Sequence, residues 1–270
     1  MRFLTVMIFL AFTSVYGDVI IPVDVTDSLY TKITSSGPDA LIEYIDEFDP
    51  PQRLQLYQLA REVMVFRVLE GQNLDDIVSV AEAGIQEAMG QANNAPNSLA
   101  TEALLDLANV MSYNLSADLA ECWPGDTLAR HERHYERGLS AALQCVIWRY
   151  ELDKGEYSLF LAFWAAGMHQ LSLDRPREAI YNLVSSLNHA QQYTIDQGRP
   201  LGLTPEAGFE LILAHGYLGL AMEMCGDDDD QYERAISAFE EGIEEYPELA
   251  DDYGFGIAQL QWVREKLLAD

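Results

Sequence analysis

Basic residues are scarce: 16 Lys and Arg stand against 44 Asp and Glu, for a net charge of −28. Phosphate backbones are bound through a cationic footprint, and this surface repels them, so the chain is expected to bind no nucleic acid. Cysteine is scarce too. Three residues, Cys122, Cys145 and Cys225, are too few for a disulfide scaffold, and an odd number leaves one thiol unpaired in a monomer. A helix read from Asp126 would carry Cys145 about 29 Å along its axis at ~1.5 Å per residue. That distance argues against a bridge to Cys122, since a disulfide needs Cα atoms within roughly 7 Å. Long apolar runs are missing after the first dozen residues, and no segment approaches the ~20 apolar residues that cross a bilayer, so no membrane span is expected. Catalytic signatures are lacking as well: there is no Gly-x-Ser-x-Gly, no phosphate loop and no positional mark that singles out an acid/base pair among the carboxylates. The chain reads as a non-enzyme without a cofactor.

What is present is core-forming material. Hydrophobic residues make up 49% of the chain and aromatics 10%, well beyond what a disordered acidic tail contains. The N-terminus carries Arg2, an apolar stretch from Phe3 to Phe12, and small residues at Val15 and Gly17 before Asp18. This is the three-part pattern of a secretory signal peptide cleaved near Gly17. The expectation is therefore an exported protein, periplasmic or secreted, with 1–17 removed. No Cys near the cleavage site marks a lipid anchor.

After Pro22, apolar residues recur every three to four positions and strand-like alternation almost vanishes. Leu54, Leu56, Leu59, Val63, Phe66 and Leu69 form a stripe ended by Gly71; Asn73 caps a second, with Ile77, Val80, Ala81, Ile85 and Met89. Gln91 to Asn97 reads as a loop. A third helix carries Leu99, Leu104, Leu105, Ala108 and Met111, and a fourth begins at Asp126 as N-cap. Thr204-Pro205 marks another helix start, and a closing helix from Tyr253 to Leu268 turns Gln259, Arg264 and Glu265 outward. The fold class is all-α.

The C-terminal half repeats itself. Gly167 in an apolar helix, a Leu173-Asp174-Arg175-Pro176 turn, Ala179 and Leu183 are followed by Leu218-Gly219, Met222, a Cys225-Gly226 break, Ala235, Phe239 and Pro247. This resembles the tetratricopeptide repeat, whose pattern is a Leu-Gly pair, a large residue three on, Ala-x-x-x-Phe and a closing Pro. The resemblance implies antiparallel helical hairpins stacked as a right-handed superhelical solenoid. Small residues there let helices approach and large ones fill between repeats, so the packing positions are Gly167, Ala179, Leu183, Gly219, Ala235 and Phe239. Leu183 replaces the usual aromatic, the first unit lacks its Pro, and four extra residues fall between the second unit's helices. Residues 18–123 read as a helical region of degenerate repeats or a cap, and 124–270 as the repeat region with a capping helix.

The inner face of the first helix in each repeat would present Leu161, Trp164, Met168 and Leu171, then Leu213, Leu220 and Met224. Such an apolar stripe suits a peptide segment or a small apolar ligand if it is exposed, and core if it is not. His131-Glu132-Arg133-His134 has its imidazoles three apart and Arg130, Arg133 and Arg137 nearby, which favours a solvated helix face over a metal site. Asp227 to Asp230 lacks the pattern of a calcium loop and reads as a solvated insertion. Asn114-Leu115-Ser116 is a glycosylation acceptor only in a eukaryotic secretory pathway. The expected function is a protein- or peptide-binding scaffold, its acidic surface favouring basic partners. The helix bearing Trp164, with the insertion before Tyr232, is also similar to the T component of tripartite ATP-independent periplasmic transporters. That resemblance implies small-ligand handling beside a solute-binding protein.

Overall fold

The computed structural model describes residues 25–66, 73–227 and 230–268; the export signal, Leu69, Gly71 and, of the insertion, Asp228 and Asp229 lie outside them. Among the described residues there are ten α-helices and no strands, and no helix is long and apolar enough to cross a membrane. The chain forms two compact units, Met1–Asp118 and Leu119–Asp270.

In the first unit, α1 (Val25–Asp46) packs on α2 (Pro50–Phe66) and α3 (Leu74–Asn93), and α4 (Ser98–Leu119) completes it. α1 breaks at Gly37, whose φ of +81° continues no helix, with Pro38 restarting the chain beyond it. Leu29, Leu41, Ile45, Leu56, Met64, Leu74 and Val80 are buried at its core. Asn73 caps α3 as expected, its Oδ1 accepting from the Asp76 amide at 3.0 Å. The loop read from Gln91 is shorter, because α3 runs on to Asn93 and Asn97 caps α4 by accepting from the Ala100 amide. Arg61 on α2 grips Asp118 on α4 through two 2.7 Å hydrogen bonds. That carboxylate offsets the cost of burying Arg61 and holds its guanidinium above the usual range.

The second unit runs α5 (Glu132–Glu151), α6 (Glu156–Ser172), α7 (Pro176–Asp196), α8 (Phe209–Met224), α9 (Gln231–Glu245) and α10 (Ala250–Leu267). Each helix packs on the next in sequence, and α6 touches α8 as α8 touches α10. Four of them stop in one way. At the ends of α5, α6, α7 and α8, Asp153, Asp174, Gly198 and Gly226 take positive φ. The following amide, that of Lys154, Arg175, Arg199 or Asp227, returns to a carbonyl five residues back, which satisfies the last carbonyls of the helix.

Three start or face assignments are corrected. α5 begins at Glu132, not Asp126: the Asp126 carboxylate instead accepts from the Leu128 amide and pairs with Arg130 at 2.6 Å, folding 120–131 into an irregular strap. Thr204-Pro205 opens a single 3₁₀ turn, and α8 starts only after Gly208, whose φ is +93°. Gln259 points inward, 2% exposed, while Glu265 on the same helix is exposed.

Candidate functional site

The glycines and alanines of the repeated pattern sit where helices close on each other. A Cβ on Gly167 would stand 2.6 Å from the Leu183 side chain, and one on Gly219 would stand 2.4 Å from the backbone nitrogen of Tyr232. Ala179, Ala235 and Phe239 are fully buried and Leu183 nearly so. Phe239 lies between the rings of Phe209 and Tyr253, at centroid distances of 5.5 and 5.9 Å, over Gly256, where a Cβ would meet its ring at 2.6 Å.

The wall read as a binding groove is closed off. Trp164, Met168, Leu171, Leu213 and Leu220 are all buried, and only Leu161 and Met224 are half-exposed. The strap 120–131 lies against α8 and α10. Cys122, fully buried, stands beside Tyr217 of α8, and the Gln259 side chain of α10 reaches its thiol. Trp123 stacks on Phe255 at 6.3 Å, and Glu121 pairs with Lys266 at 3.7 Å while accepting from the Tyr135 hydroxyl. Arg130 secures the strap's end by donating to the Leu119 and Leu128 carbonyls.

Burial pushes the Cys122 thiol up to about 12, with the Arg130 guanidinium pulling the other way. The Tyr217 phenol is likewise held well above its ordinary range by desolvation. Its hydroxyl and the Trp164 indole N–H are buried without a well-formed hydrogen bond, although the two rings meet edge to face at 5.7 Å. At neutral pH both Cys122 and Tyr217 are protonated and unreactive.

The other residues singled out by sequence pattern take structural positions. His131 is the residue before α5, and its amide donates to Nδ1 of His134 at 3.1 Å. His134 is buried, so the His-x-x-His stretch is not wholly a solvated face; it is a helix-start contact. Asp230 precedes α9. Asn114-Leu115-Ser116 lies inside α4 with Ser116 fully buried.

One cluster has no signature in the sequence. His189 of α7 places Nδ1 2.6 Å from Oε2 of Glu156 on α6 and Nε2 3.2 Å from the hydroxyl of Tyr150 on α5. A carboxylate only accepts, so Nδ1 carries the proton. Phe163 of α6 stacks on the imidazole at 5.4 Å. These residues are 33 and 39 positions apart in the chain, a separation that no local periodicity reports. The arrangement resembles an oriented general base, but Tyr150 is more than half exposed to water, and the cluster joins three helices at one end.

No family model, curated protein or solved structure matches this chain.

Proposed function

We propose that this is an exported, non-catalytic helical scaffold of tetratricopeptide-like hairpins that binds a protein or peptide partner. One observation carries the reading. The helices α6 to α10 pack in file, each on its neighbour, with α6, α8 and α10 in contact along one side. That side seats an irregular stretch of chain, the strap 120–131, through a buried thiol, an aromatic stack and an ion pair. A wall that holds non-helical backbone in this way has the chemistry by which helical repeats take peptides. Trp164 and Leu220 are buried, so a partner would engage the surface around Leu161 and Met224 and the acidic rim. With a net charge of −28, that rim steers basic segments toward the protein and makes their capture salt-sensitive.

The test is to immobilise the chain from Asp18 onward and challenge it with an envelope extract of its source cells at low and high salt. Retained proteins are then measured individually by calorimetry. A saturable partner whose affinity falls as salt rises supports the scaffold reading, and no saturable partner at either salt defeats it.

A small-ligand role like that of the transporter T components is favoured by a single feature, the buried Tyr217 hydroxyl and Trp164 N–H without well-formed hydrogen bonds. Groups of this kind take a small polar molecule or a water. Changing Tyr217 to Phe distinguishes the cases: loss of a ligand-induced rise in Tm supports the ligand, and an unchanged or higher Tm with no ligand effect supports core packing.

A further inference from the structure

A second surface stands out by its lack of charge. Charged residues make up 22% of the chain, yet α5 carries none from Gly138 to Trp148 and α7 none from Ala179 to Ile195. In α6 the same absence follows from burial. In α5 and α7 it does not, because Leu143, Ile147 and Tyr150 of α5 and Tyr181 and Val184 of α7 are 40 to 77% exposed. The comparison with α9 is direct: its exposed positions are Glu233, Arg234, Ser237, Glu240, Glu241, Glu244 and Glu245. The outward side of α9 is therefore acidic.

These residues lie on two helices joined by two side-chain bridges. Glu136 of α5 pairs with Arg175 at the start of α7, and Tyr150 of α5 meets His189 of α7, each pair separated by 39 positions. The equal offset makes α5 and α7 parallel and in constant register, with α6 between them. The two bridges lie 14 residues apart on either helix, about 21 Å at ~1.5 Å per residue. Along the chain, Leu143 and Ile147 lie between the two bridges on α5, and Tyr181 and Val184 lie between them on α7.

We infer that this α5–α7 face is where a second copy of the chain docks, giving a two-fold dimer. Charge selects the occupant. Two molecules of net charge −28 repel over most of their surfaces, and a neutral, aromatic-bearing face is where that repulsion is least and desolvation costs least. A basic partner would gain nothing from a face without carboxylates. A second copy supplies the same uncharged apolar stripe, and a two-fold axis sets it against itself. Area agrees: five partly exposed side chains of this size present a few hundred Å2, at the upper end of what a monomer leaves uncovered. Two copies reach the order of 1,000 Å2 that a specific interface requires at minimum. The dimer is thus a modest one that tightens as salt screens the repulsion, the opposite of the salt response of a basic partner.

Sedimentation velocity on the full chain over a range of concentrations, at low and high salt, tests this. Wild type is expected to sediment as a dimer that strengthens with salt. Ile147→Glu and Tyr181→Glu each place a charge at the centre of the face and are expected to weaken association roughly tenfold or more. Because Ile147 is 51% and Tyr181 77% exposed, both variants should keep the wild-type circular dichroism. Leu201→Glu, an exposed site in the loop after α7, should leave the dimer intact. A wild type that stays monomeric at high salt overturns the inference. So does a dimer that survives both substitutions, or one that Leu201→Glu dissociates equally.

Discussion

Gly219 offers a sharp test of how the hairpins of the second unit close. It lies in α8, and the first turn of α9 rests on it, with Gln231 also donating to the His215 carbonyl at 3.2 Å. A Cβ there would stand 2.4 Å from the Tyr232 nitrogen and 2.9 Å from its Cα. These are backbone atoms at a helix start, so the clash is relieved only by moving α9 away from α8. Overpacking of this kind costs ~1–3 kcal/mol, and the better helix propensity of alanine returns ~1 kcal/mol. Gly219→Ala is therefore expected to lose ~0–2 kcal/mol net, a fall in Tm of up to roughly 8 °C for a unit of this size. Gly254 in α10 is the control, since a Cβ there meets nothing within 4 Å. Gly254→Ala keeps the propensity gain and should raise Tm by roughly 2–4 °C. Gly167→Ala falls between, because the Leu183 side chain it meets at 2.6 Å can shift its rotamer. Calorimetry and urea titration on the three variants give the order directly. If Gly219→Ala is as stable as Gly254→Ala, backbone contact at Gly219 does not set the spacing of α8 and α9, and the close-approach argument fails.

Asp153 and Asp174 hold left-handed conformations, at φ +49° and +56°, in the helix-end positions that Gly198 and Gly226 fill elsewhere. Replacing either Asp with Gly should stabilise by up to ~1 kcal/mol, and replacing it with Val should destabilise, as thermal melts would show. A thiol reagent at neutral pH should label Cys225, which is partly exposed, and leave the buried Cys122 and Cys145 unmodified until the chain unfolds. The thiol of Cys122 is raised from 9.0 to about 12 in the folded state, so its contribution to stability is complete below pH 9. It declines as pH rises further, because only the unfolded chain then ionises freely. Cys122→Ala should flatten that alkaline decline in denaturation curves taken at increasing pH. Arg61→Ala leaves Asp118, 9% exposed at its side chain, without its two hydrogen bonds. It should cost ~2 kcal/mol in the first unit, and Arg61→Lys should recover less than half because it cannot make both bonds.

Much of the helical layout was legible in the amino-acid order because the signals are local. Asn73 caps the helix it was expected to cap, the Leu173-to-Pro176 turn separates α6 from α7, and Pro247 follows the end of α9. Each depends on residues within four positions of one another, where backbone chemistry decides. Asp126 was misleading for the same reason. It has the composition of a cap, but Arg130 pairs with it, and the helix waits for Glu132. Gln259 was misread through polarity alone; its inward position depends on Cys122, far away in the chain.

Composition and spacing were enough to determine that this chain is helical, where α3 and α7 begin, and that small residues recur at regular intervals in its second half. Hydrogen bonding along a helix and the apolar period both act within a turn or two, so these properties are written locally. Only the tertiary structure decided which faces are covered: that Trp164 and Leu220 are buried, that the strap 120–131 lies against α8 and α10, and that His189 gathers Glu156 and Tyr150. Burial is a property of neighbours, and these neighbours are brought together from tens of residues apart by packing that no short window of sequence contains.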